Sequence, residues 1–266
     1  MPDSSLEPIQ ARRPSALILA AGRGSRLGAL TTNTPKCLAR VGGRSLIGHQ
    51  LDVLAGEGVV DITVVTGYRA EAVRSAVGGR ARFVHNPYWR ETNSLFSMWL
   101  AGRHVADDII VLNCDVLAHP GAIRRVIEAG PNSFAIDRLG GLGEEEMHVA
   151  LDGSRLLSMS KDLDLDIVDG ENVGIVRMAG ATLTAVYAEA HRIIGSGNYG
   201  AWMAAAIDRV AGHHYLQAVD ISDLPWVEVD FPEDLNRAVE CVWPAIRVLT
   251  EPLDVAVGGA QVGALS

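Results

Sequence analysis

The chain has 266 residues, 48% of them apolar, so it can fold around one large core or two small ones and is neither disordered nor fibrous. Its 23 Lys and Arg against 32 Asp and Glu give a net charge of −9, without the basic stripe that a nucleic-acid surface needs. We therefore expect no nucleic-acid partner, and any phosphate must be bound locally.

The N-terminal segment resembles a secretion signal only superficially. Arg12 and Arg13 precede an apolar run, but this run ends at Gly22 without a cleavage region. We interpret residues 1–13 as a flexible leader, 14–249 as one domain and 250–266 as a mobile tail. No apolar stretch reaches the roughly 18 to 20 residues of a membrane helix. Three well-separated cysteines favour neither a disulfide framework nor a zinc site, so we expect a cytoplasmic protein with no membrane partner.

Short apolar runs alternate with amphipathic stretches in the first half of the chain. The runs that predict buried strands begin at Ala16, Ile62, Ile109 and Phe134. Helical spacing between the runs predicts helices over residues 46–54, 70–77, 95–101 and 122–127. This alternation predicts an α/β fold with a mainly parallel sheet, helices on both faces, and ligands at the carboxyl ends of the strands.

The pattern changes after residue 140. Asp152 and Gly153 lie between two short apolar runs and predict a hairpin, so the sheet is expected to become mixed. Two further runs, 173–177 and 226–230, predict strands. Helices are predicted over 183–194, 201–210 and 232–248.

Glycines and basic residues follow the first predicted strand. Gly22, Gly24 and Gly28 lie close together, and Arg26 and Lys36 add positive charge. Backbone N–H groups in such a turn can hold an anion. The spacing matches neither the dinucleotide pattern G-x-G-x-x-G nor the P-loop pattern G-x-x-x-x-G-K-[ST]. A simple tight turn is the alternative, but it leaves Arg26 and Lys36 unexplained.

The segment from Leu17 to Gly28, followed by Pro35 and Lys36, resembles the signature L-A-A-G-x-G-x-R-L and P-K of the sugar-phosphate nucleotidyltransferase superfamily. The resemblance implies a Rossmann-like three-layer sandwich with a mixed, mostly parallel central sheet. It also implies that Arg26 contacts the phosphates of a nucleoside triphosphate and that Lys36 neutralises charge near the α-phosphate, which makes these two the expected catalytic residues. The implied nucleotide-binding residues of the loop are Ala20, Ala21, Gly22, Gly24 and Ser25.

Residues 86–101 resemble the N-P-x-Y-x-x-T-N-N-x-x-S-L-x-L-A element of the branch that includes phosphocholine and 2-aminoethylphosphonate cytidylyltransferases. Trp89, Ser94 and Met98 depart from that pattern. The functional interpretation places Asn86 and Asn93 over the nucleotide, where an amide can both donate to and accept from a base. The alternative is an amphipathic helix with Asn93 or Ser94 as its N-cap.

Carboxylates close two of the predicted strands. Asp115 ends the run that begins at Ile109, and alternation puts Glu228 and Asp230 on one side of the run 226–230. By resemblance, Asp115 and Asp230 match the family's magnesium ligands, with Glu228 as a helper. Mg²⁺ prefers carboxylate oxygens and would offset the repulsion between two phosphate groups. The alternative is that Asp115 and Asp230 cap helices.

Segments around Lys161 and Glu171 resemble the acceptor side of this branch. Lys161 is expected to meet the acceptor phosphate and Glu171 a hydroxyl or an amine, although Lys161 could instead form a surface salt bridge. A trimethylammonium group would lie against aromatic faces. The candidates for that role are Tyr199 and Trp202, together with Tyr88, Trp89 and Trp226. A polyol phosphate would instead need carboxylates and amides, supplied by Glu144, Glu145, Glu146 and Asn172.

These features predict a Mg²⁺-dependent nucleotidyltransferase that joins a nucleoside triphosphate, with CTP favoured, to a small acceptor such as phosphocholine or 2-aminoethylphosphonate and releases pyrophosphate. The alternatives are a sugar- or cyclitol-phosphate nucleotidyltransferase that uses another nucleotide, and a nucleotide-binding regulator without turnover. The presence of both candidate metal ligands, Asp115 and Asp230, weighs against the regulator. The sequence leaves the oligomeric state open, a homodimer included.

Overall fold

The computed structural model describes residues 13–140, 143 and 146–250. The predicted leader apart from Arg13, the predicted tail apart from Thr250, and the acceptor candidates Glu144 and Glu145 lie outside the described residues.

The described residues form strands and helices in alternation, with bounds close to those predicted for the first half of the chain. The strands are β1 (Ser15–Ala20), β2 (Arg40–Val41), β3 (Arg44–Ser45), β4 (Ile62–Thr66), β5 (Arg82–His85), β6 (Asp108–Asn113), β7 (Val116–Ala118), β8 (Ser133–Asp137), β9 (His148–Asp152), β10 (Arg155–Ser160), β11 (Gly170–Ala179), β12 (Gln217–Asp220) and β13 (Trp226–Glu228). The helices are α1 (Leu46–Gly56), α2 (Ala70–Val77), α3 (Ser94–Ala101), α4 (Pro120–Ala129), α5 (Gly180–Gly195), α6 (Ala204–Ala211), α7 (Pro232–Arg237) and α8 (Trp243–Thr250). A π-helical turn, Ala238–Val242, joins α7 to α8.

Nine of these strands form one mixed sheet in the order β5-β4-β1-β6-β11-β8-β12-β10-β9. The α/β fold with a mixed sheet is therefore confirmed. The expectation of a mostly parallel sheet was wrong, since four of the eight neighbour pairings are parallel and four are antiparallel. The predicted hairpin at Gly153 (φ 63°) forces β9 and β10 to run antiparallel, and β11 runs antiparallel to both of its neighbours in the centre of the sheet.

Helices cover both faces of the sheet because side chains alternate along each strand. Leu17 and Leu19 of β1 pack in one apolar cluster with residues of α3, α5 and α6. Ala16 and Ile18 point the other way, into a cluster with residues of α1, α2 and α4. Each fully buried Leu or Ile contributes roughly 1.5–3 kcal/mol of hydrophobic stabilisation, so the central strands anchor the fold.

The strand predicted over 226–230 does not join the main sheet. It ends at Glu228 as β13 and pairs with β7 in a separate two-stranded sheet, in which Glu228 lies opposite Val116. Val227 and Leu117 pack there with Ile246 of α8 in a third apolar cluster. This small sheet brings Glu228 next to the turn that carries Asp115.

Helix bounds in the second half shift by a few residues from the prediction. The helix predicted over 201–210 begins only at Ala204, and α5 extends beyond the predicted 183–194 at both ends. Among the described residues, no helix combines the length and the apolar character that crossing a bilayer requires.

Candidate active site

A cavity of about 360 Å³ opens at the carboxyl ends of β1 and β6. These strands are parallel neighbours, with Leu19 paired to Asn113, so the loops that follow them meet at one edge. Because β11 runs antiparallel beside β6, its first residues, including Asn172, reach the same edge. Ligands bind at this position in open α/β sheets.

Most of the residues predicted from the sequence line this cavity. They are Ala21, Gly22, Gly24, Ser25, Arg26, Lys36, Asn86, Asn93, Asp115, Lys161, Trp202, Glu228 and Asp230. Ala20, Glu171 and Tyr199 are not among the lining residues.

Gly24 allows the glycine loop to pack closely against Lys36. Its φ is +74°, and a Cβ atom at this position would lie 2.5 Å from the Cβ of Lys36. The backbone N–H of Lys36 also donates to the carbonyl of Arg23 at 3.3 Å. A side chain at position 24 would therefore be strained and would displace the lysine.

Lys36 lies between two aspartates at the wall of the cavity. Its Nζ is 2.6 Å from Oδ2 of Asp115 and also forms an ion pair with Oδ1 of Asp230. Arg26 contacts the other oxygen of Asp230 at 2.8 Å. Burial alone would lower the pKa of Lys36, but the charges of both aspartates and the hydrogen bonds to them outweigh it and raise the pKa well above its ordinary value. Lys36 is therefore a permanent positive charge in the site.

Three carboxylates gather around this lysine. Oxygen atoms of Asp115, Glu228 and Asp230 lie within 4.8 Å of one another. Burial, followed by the charges of Asp115 and Asp230, raises the pKa of Glu228 to about 8. Oδ1 of Asp115 is buried and has no hydrogen-bond partner within the described residues. Clustered carboxylate oxygens, one of them unpartnered, fit a hard divalent cation such as Mg²⁺.

Neither aspartate caps a helix, so that alternative was wrong. The turn at Asp115 leads into β7, and the cap of α4 is His119, whose Nδ1 accepts from the N–H of Gly121. At the start of α7, it is Asp234 that accepts from the N–H groups of Asp230 and Phe231, at 3.0 and 2.8 Å.

Asn86 and Asn93 line the cavity and also hold their own segment together. The amide of Asn86 donates to Thr92 Oγ1 at 3.0 Å and Ser97 Oγ at 3.1 Å, and its oxygen accepts from the N–H of Tyr88. Asn93 is the N-cap of α3 and accepts from the N–H of Ser94 at 2.8 Å. The predicted cap is therefore present, and both donors of the Asn86 amide are already engaged within the protein.

Lys161 and Trp202 lie side by side in the wall of the cavity. Nζ of Lys161 lies 5.1 Å from the centroid of the Trp202 ring. Ser94 links this side to α3, since its Oγ accepts from the N–H of Met203 at 2.8 Å. A cation and an aromatic face are thus available together.

The three predicted residues that do not line the cavity have other roles. The side chain of Ala20 packs against the α1 and α2 side of the sheet. Glu171 precedes the lining residue Asn172 on β11 and is buried behind the cavity wall, close enough to the lining residues Lys161 and Glu228 to interact with their charges. Tyr199 is half-exposed and meets Phe96 edge-on, with ring centroids 6.4 Å apart.

The five aromatic candidates do not form one cage. Trp89 and Trp202 line the cavity, whereas Tyr88, Tyr199 and Trp226 do not. The indole N–H of Trp226 instead donates to Oδ2 of Asp137 at 2.8 Å.

Several polar lining residues were not assigned from the sequence. Asn113 ends β6, and Gly174 (φ +79°) makes room for it, since a Cβ there would lie 2.6 Å from its Nδ2. Ser97 lies one helical turn after Asn93, and this i, i+4 spacing was a signal that could have placed it on the same face.

Residues 16–144 of the chain match the protein family described as the MobA-like NTP transferase domain. This segment runs from β1 into the loop before β9, and it contains the glycine loop, Lys36 and Asp115.

Two curated relatives and one solved structure are informative. A CMP-5′-(3-aminopropyl)phosphonate synthase of Streptomyces rubellomurinus is 33% identical over 246 residues, which cover 84% of this chain and 38% of that protein. A choline-phosphate cytidylyltransferase of Streptococcus pneumoniae is 34% identical over 99 residues, covering 36% of this chain and 42% of that enzyme. The matched part of this chain therefore spans less than half the length of either relative.

The structure of an inositol-1-phosphate CTP transferase from T. maritima superposes with a TM-score of 0.75 and 22% identity, covering 88% of this chain and 96% of that chain. At this identity the likeness establishes a common fold. Residues 16–144 thus match the MobA-like NTP transferase domain, and the chain has the fold of a solved CTP transferase.

Proposed function

We propose that this protein is a divalent-metal-dependent cytidylyltransferase that transfers CMP from CTP to a phosphate or phosphonate oxygen of a small acceptor. The observation that carries the proposal is Lys36 held between Asp115 and Asp230 beside the glycine loop, in one cavity of about 360 Å³. The relatives named for CMP-aminopropylphosphonate synthesis and choline-phosphate cytidylyl transfer support both CTP and this acceptor class.

In this reaction an oxygen of the acceptor attacks the α-phosphorus of CTP. The bond from that phosphorus to the bridging oxygen of the β-phosphate breaks, and its electron pair leaves with pyrophosphate. No general base is needed, because the attacking oxygen is already anionic near neutral pH. The main obstacle is repulsion between two polyanions, so fixed positive charge is the chief requirement.

Positively charged residues of the cavity would supply this charge beside the reacting phosphates. Lys36 holds a positive charge next to the glycine loop, whose backbone N–H groups would receive phosphate oxygens. Arg26 stands beside Lys36 and would steady the departing pyrophosphate. Asp115, Glu228 and Asp230 would hold Mg²⁺, which supplies charge neutralisation and orients the phosphates when bound.

The acceptor is expected on the side of Lys161 and Trp202. Lys161, whose Nζ lies over the Trp202 ring, would turn toward the phosphate or phosphonate group of the acceptor, and the ring face that it leaves would receive an ammonium or trimethylammonium group. Asn172 also lines the cavity and would bond a hydroxyl or amine of the acceptor. These roles favour a zwitterionic acceptor, with a cyclitol phosphate as the competing class.

The test is pyrophosphate release with CTP, UTP, GTP, dTTP and ATP, each combined with phosphocholine, 2-aminoethylphosphonate, 3-aminopropylphosphonate and inositol phosphate in the presence of Mg²⁺. We expect release with CTP and an amino acceptor, and a new phosphoanhydride signal by ³¹P NMR. Release with a cyclitol phosphate alone would change the acceptor class. No release with any pair, together with nucleotide-dependent thermal stabilisation, would favour a nucleotide-binding regulator without turnover.

The cytoplasmic location of the protein and its assembly as a homodimer stay predictions.

A further inference from the structure

The turn that carries Asp115 is fastened from outside the cavity by a residue of α1. Gln50 is 4% exposed, and its amide nitrogen donates to two backbone carbonyls, that of Asn113 at 2.7 Å and that of Val116 at 3.0 Å. These carbonyls flank Cys114 and Asp115, so one side chain joins both arms of the turn.

The orientation of this amide follows from its surroundings. A reversed amide would direct Oε1 at two carbonyl oxygens, which repel it, so the nitrogen must face the turn. Oε1 is buried on the other side and has no hydrogen-bond partner within the described residues. Burial of Oε1 without a hydrogen-bond partner costs free energy of folding. The two hydrogen bonds that the amide nitrogen donates to the turn offset that cost.

The same turn is also joined to the segment that carries the other two carboxylates, at the end of β13 and just after it. The backbone N–H of Val229 donates to the carbonyl of Asp115 at 3.0 Å, and Val229 lies between Glu228 and Asp230. Movement of the turn would therefore alter the spacing of all three carboxylates, which lie within 4.8 Å of one another.

We infer that Gln50 is a positioning residue that fixes the Asp115 turn and thereby sets the affinity of the carboxylate cluster for a divalent cation. This inference rests on the proposed function, because the cation is the one that nucleotidyl transfer requires. Gln50 itself contacts neither cation nor substrate. Loss of a partner that orients a metal ligand typically weakens metal binding 10–100-fold.

The experiment measures Mn²⁺ binding to the nucleotide-free protein by electron paramagnetic resonance. Gln50→Met keeps the length and the apolar stem but removes both donors, and we expect its dissociation constant for Mn²⁺ to rise about 10–100-fold. Gln50→Asn keeps the donors but shortens the side chain by one methylene, and it replaces Gln50→Met should the latter fail to fold.

Ser133→Ala is the matched control. The Ser133 hydroxyl is buried and lies 3.0 and 2.7 Å from the carbonyls of Val126 and Gly130, at the amino end of β8. Its loss should lower the urea midpoint, as Gln50→Met does, while Mn²⁺ affinity stays at the wild-type value. If Gln50 had only a structural role, Gln50→Met would behave like Ser133→Ala, with a lower urea midpoint and an unchanged Mn²⁺ affinity.

The outcomes separate this inference from the proposed function. Equal Mn²⁺ affinity in the wild type and in Gln50→Met overturns the inference alone. Absence of Mn²⁺ binding in the wild type overturns both the inference and the metal site. A wild-type protein that binds Mn²⁺, loses it in Gln50→Met and yet transfers no nucleotide supports the inference and overturns the proposed function.

Discussion

Lys36 Nζ lies 2.6 Å from Oδ2 of Asp115, so the lysine and a candidate metal ligand share one ion pair in the structure. The same ammonium is paired with Asp230. Lys36 thus occupies, as a cation, the space around which the carboxylates converge. A divalent cation and Lys36 must compete for these oxygens, since each is stabilised by the same negative charge.

Replacement of Lys36 by Met should therefore have opposite effects on turnover and on metal binding. Turnover should fall at least about 100-fold, because a preorganised charge at the reacting phosphate is lost. Mn²⁺ affinity of the nucleotide-free protein should rise about tenfold, which corresponds to about 1.4 kcal/mol. Steady-state kinetics and Mn²⁺ titration check the two effects.

Lys161→Met is the comparison for this pair of measurements. Lys161 lies over Trp202, so Mn²⁺ affinity should keep its wild-type value in that variant. Full turnover in Lys36→Met would contradict the role of Lys36 as the positive charge that stabilises the reacting phosphate.

Gly24→Ala should destabilise the protein by about 1–3 kcal/mol, because position 24 has a positive φ and its new Cβ would meet Lys36 at 2.5 Å. Urea unfolding measures the loss. Gly56→Ala is the control, since Gly56 ends α1 with nothing within 4 Å of an added Cβ and no positive φ. An unchanged midpoint in Gly24→Ala would show that the loop can move away from the lysine.

Glu171 should make stability depend on pH between about 4.5 and 7. Burial, followed by the charges of Glu146 and Asp137, raises the pKa of Glu171 from 4.5 to about 7. The folded protein then binds the proton more tightly than the unfolded chain does, so this contribution is complete below pH 4.5 and is lost as the pH rises to 7. The loss amounts to at most about 3 kcal/mol.

Glu171→Gln should remove the part of this dependence that comes from Glu171, because the amide stays neutral at every pH, while the part due to Glu228, whose pKa is raised to about 8, stays. Urea midpoints at pH 5 and pH 8 provide the measurement, with the exposed Glu128→Gln as the control. A Glu171→Gln protein that loses as much stability as the wild type between these values would refute the assignment to this residue.

Trp202→Leu should raise KM for the acceptor about tenfold while KM for CTP stays near the wild-type value. The ring of Trp202 lies next to Lys161 in the cavity wall, where the acceptor is proposed to bind, and a cation above such a ring is worth about 0.5–2 kcal/mol. Trp99 stacks on His191 and does not line the cavity, so Trp99→Leu is the control. A rise in KM for CTP alone would place Trp202 in the nucleotide subsite instead, and equal rises in both KM values would contradict a role specific to the acceptor.

The convergence of the glycine loop, Lys36 and Asp115 in one cavity could be predicted from the sequence because its signals are local. The glycine loop, Lys36 and Asp115 each stand at the end of an apolar run or shortly after it, and parallel strands bring such ends to one edge. Short strands with polar residues, such as β5 and β12, gave no comparable signal and were missed.

The acceptor half depends on register, which the sequence does not fix. Glu171 and Asn172 are adjacent on β11, and a shift of one residue decides which of them faces the cavity. Gln50 was missed because an amide in the middle of an amphipathic helix carries no sign of the two carbonyls that it meets 63 and 66 positions further along.

The antiparallel course of β11 has a consequence for how such a protein can diversify. The family match ends at residue 144, before β9, and it includes the glycine loop, Lys36 and Asp115, while β11 enters the same cavity from the opposite direction. Under the proposed function, variation along β11 would change the acceptor preference without altering those matched residues. Glu228 and Asp230 follow β11 and complete the carboxylate cluster, so the segments that would choose the acceptor and hold the nucleotide alternate along the chain.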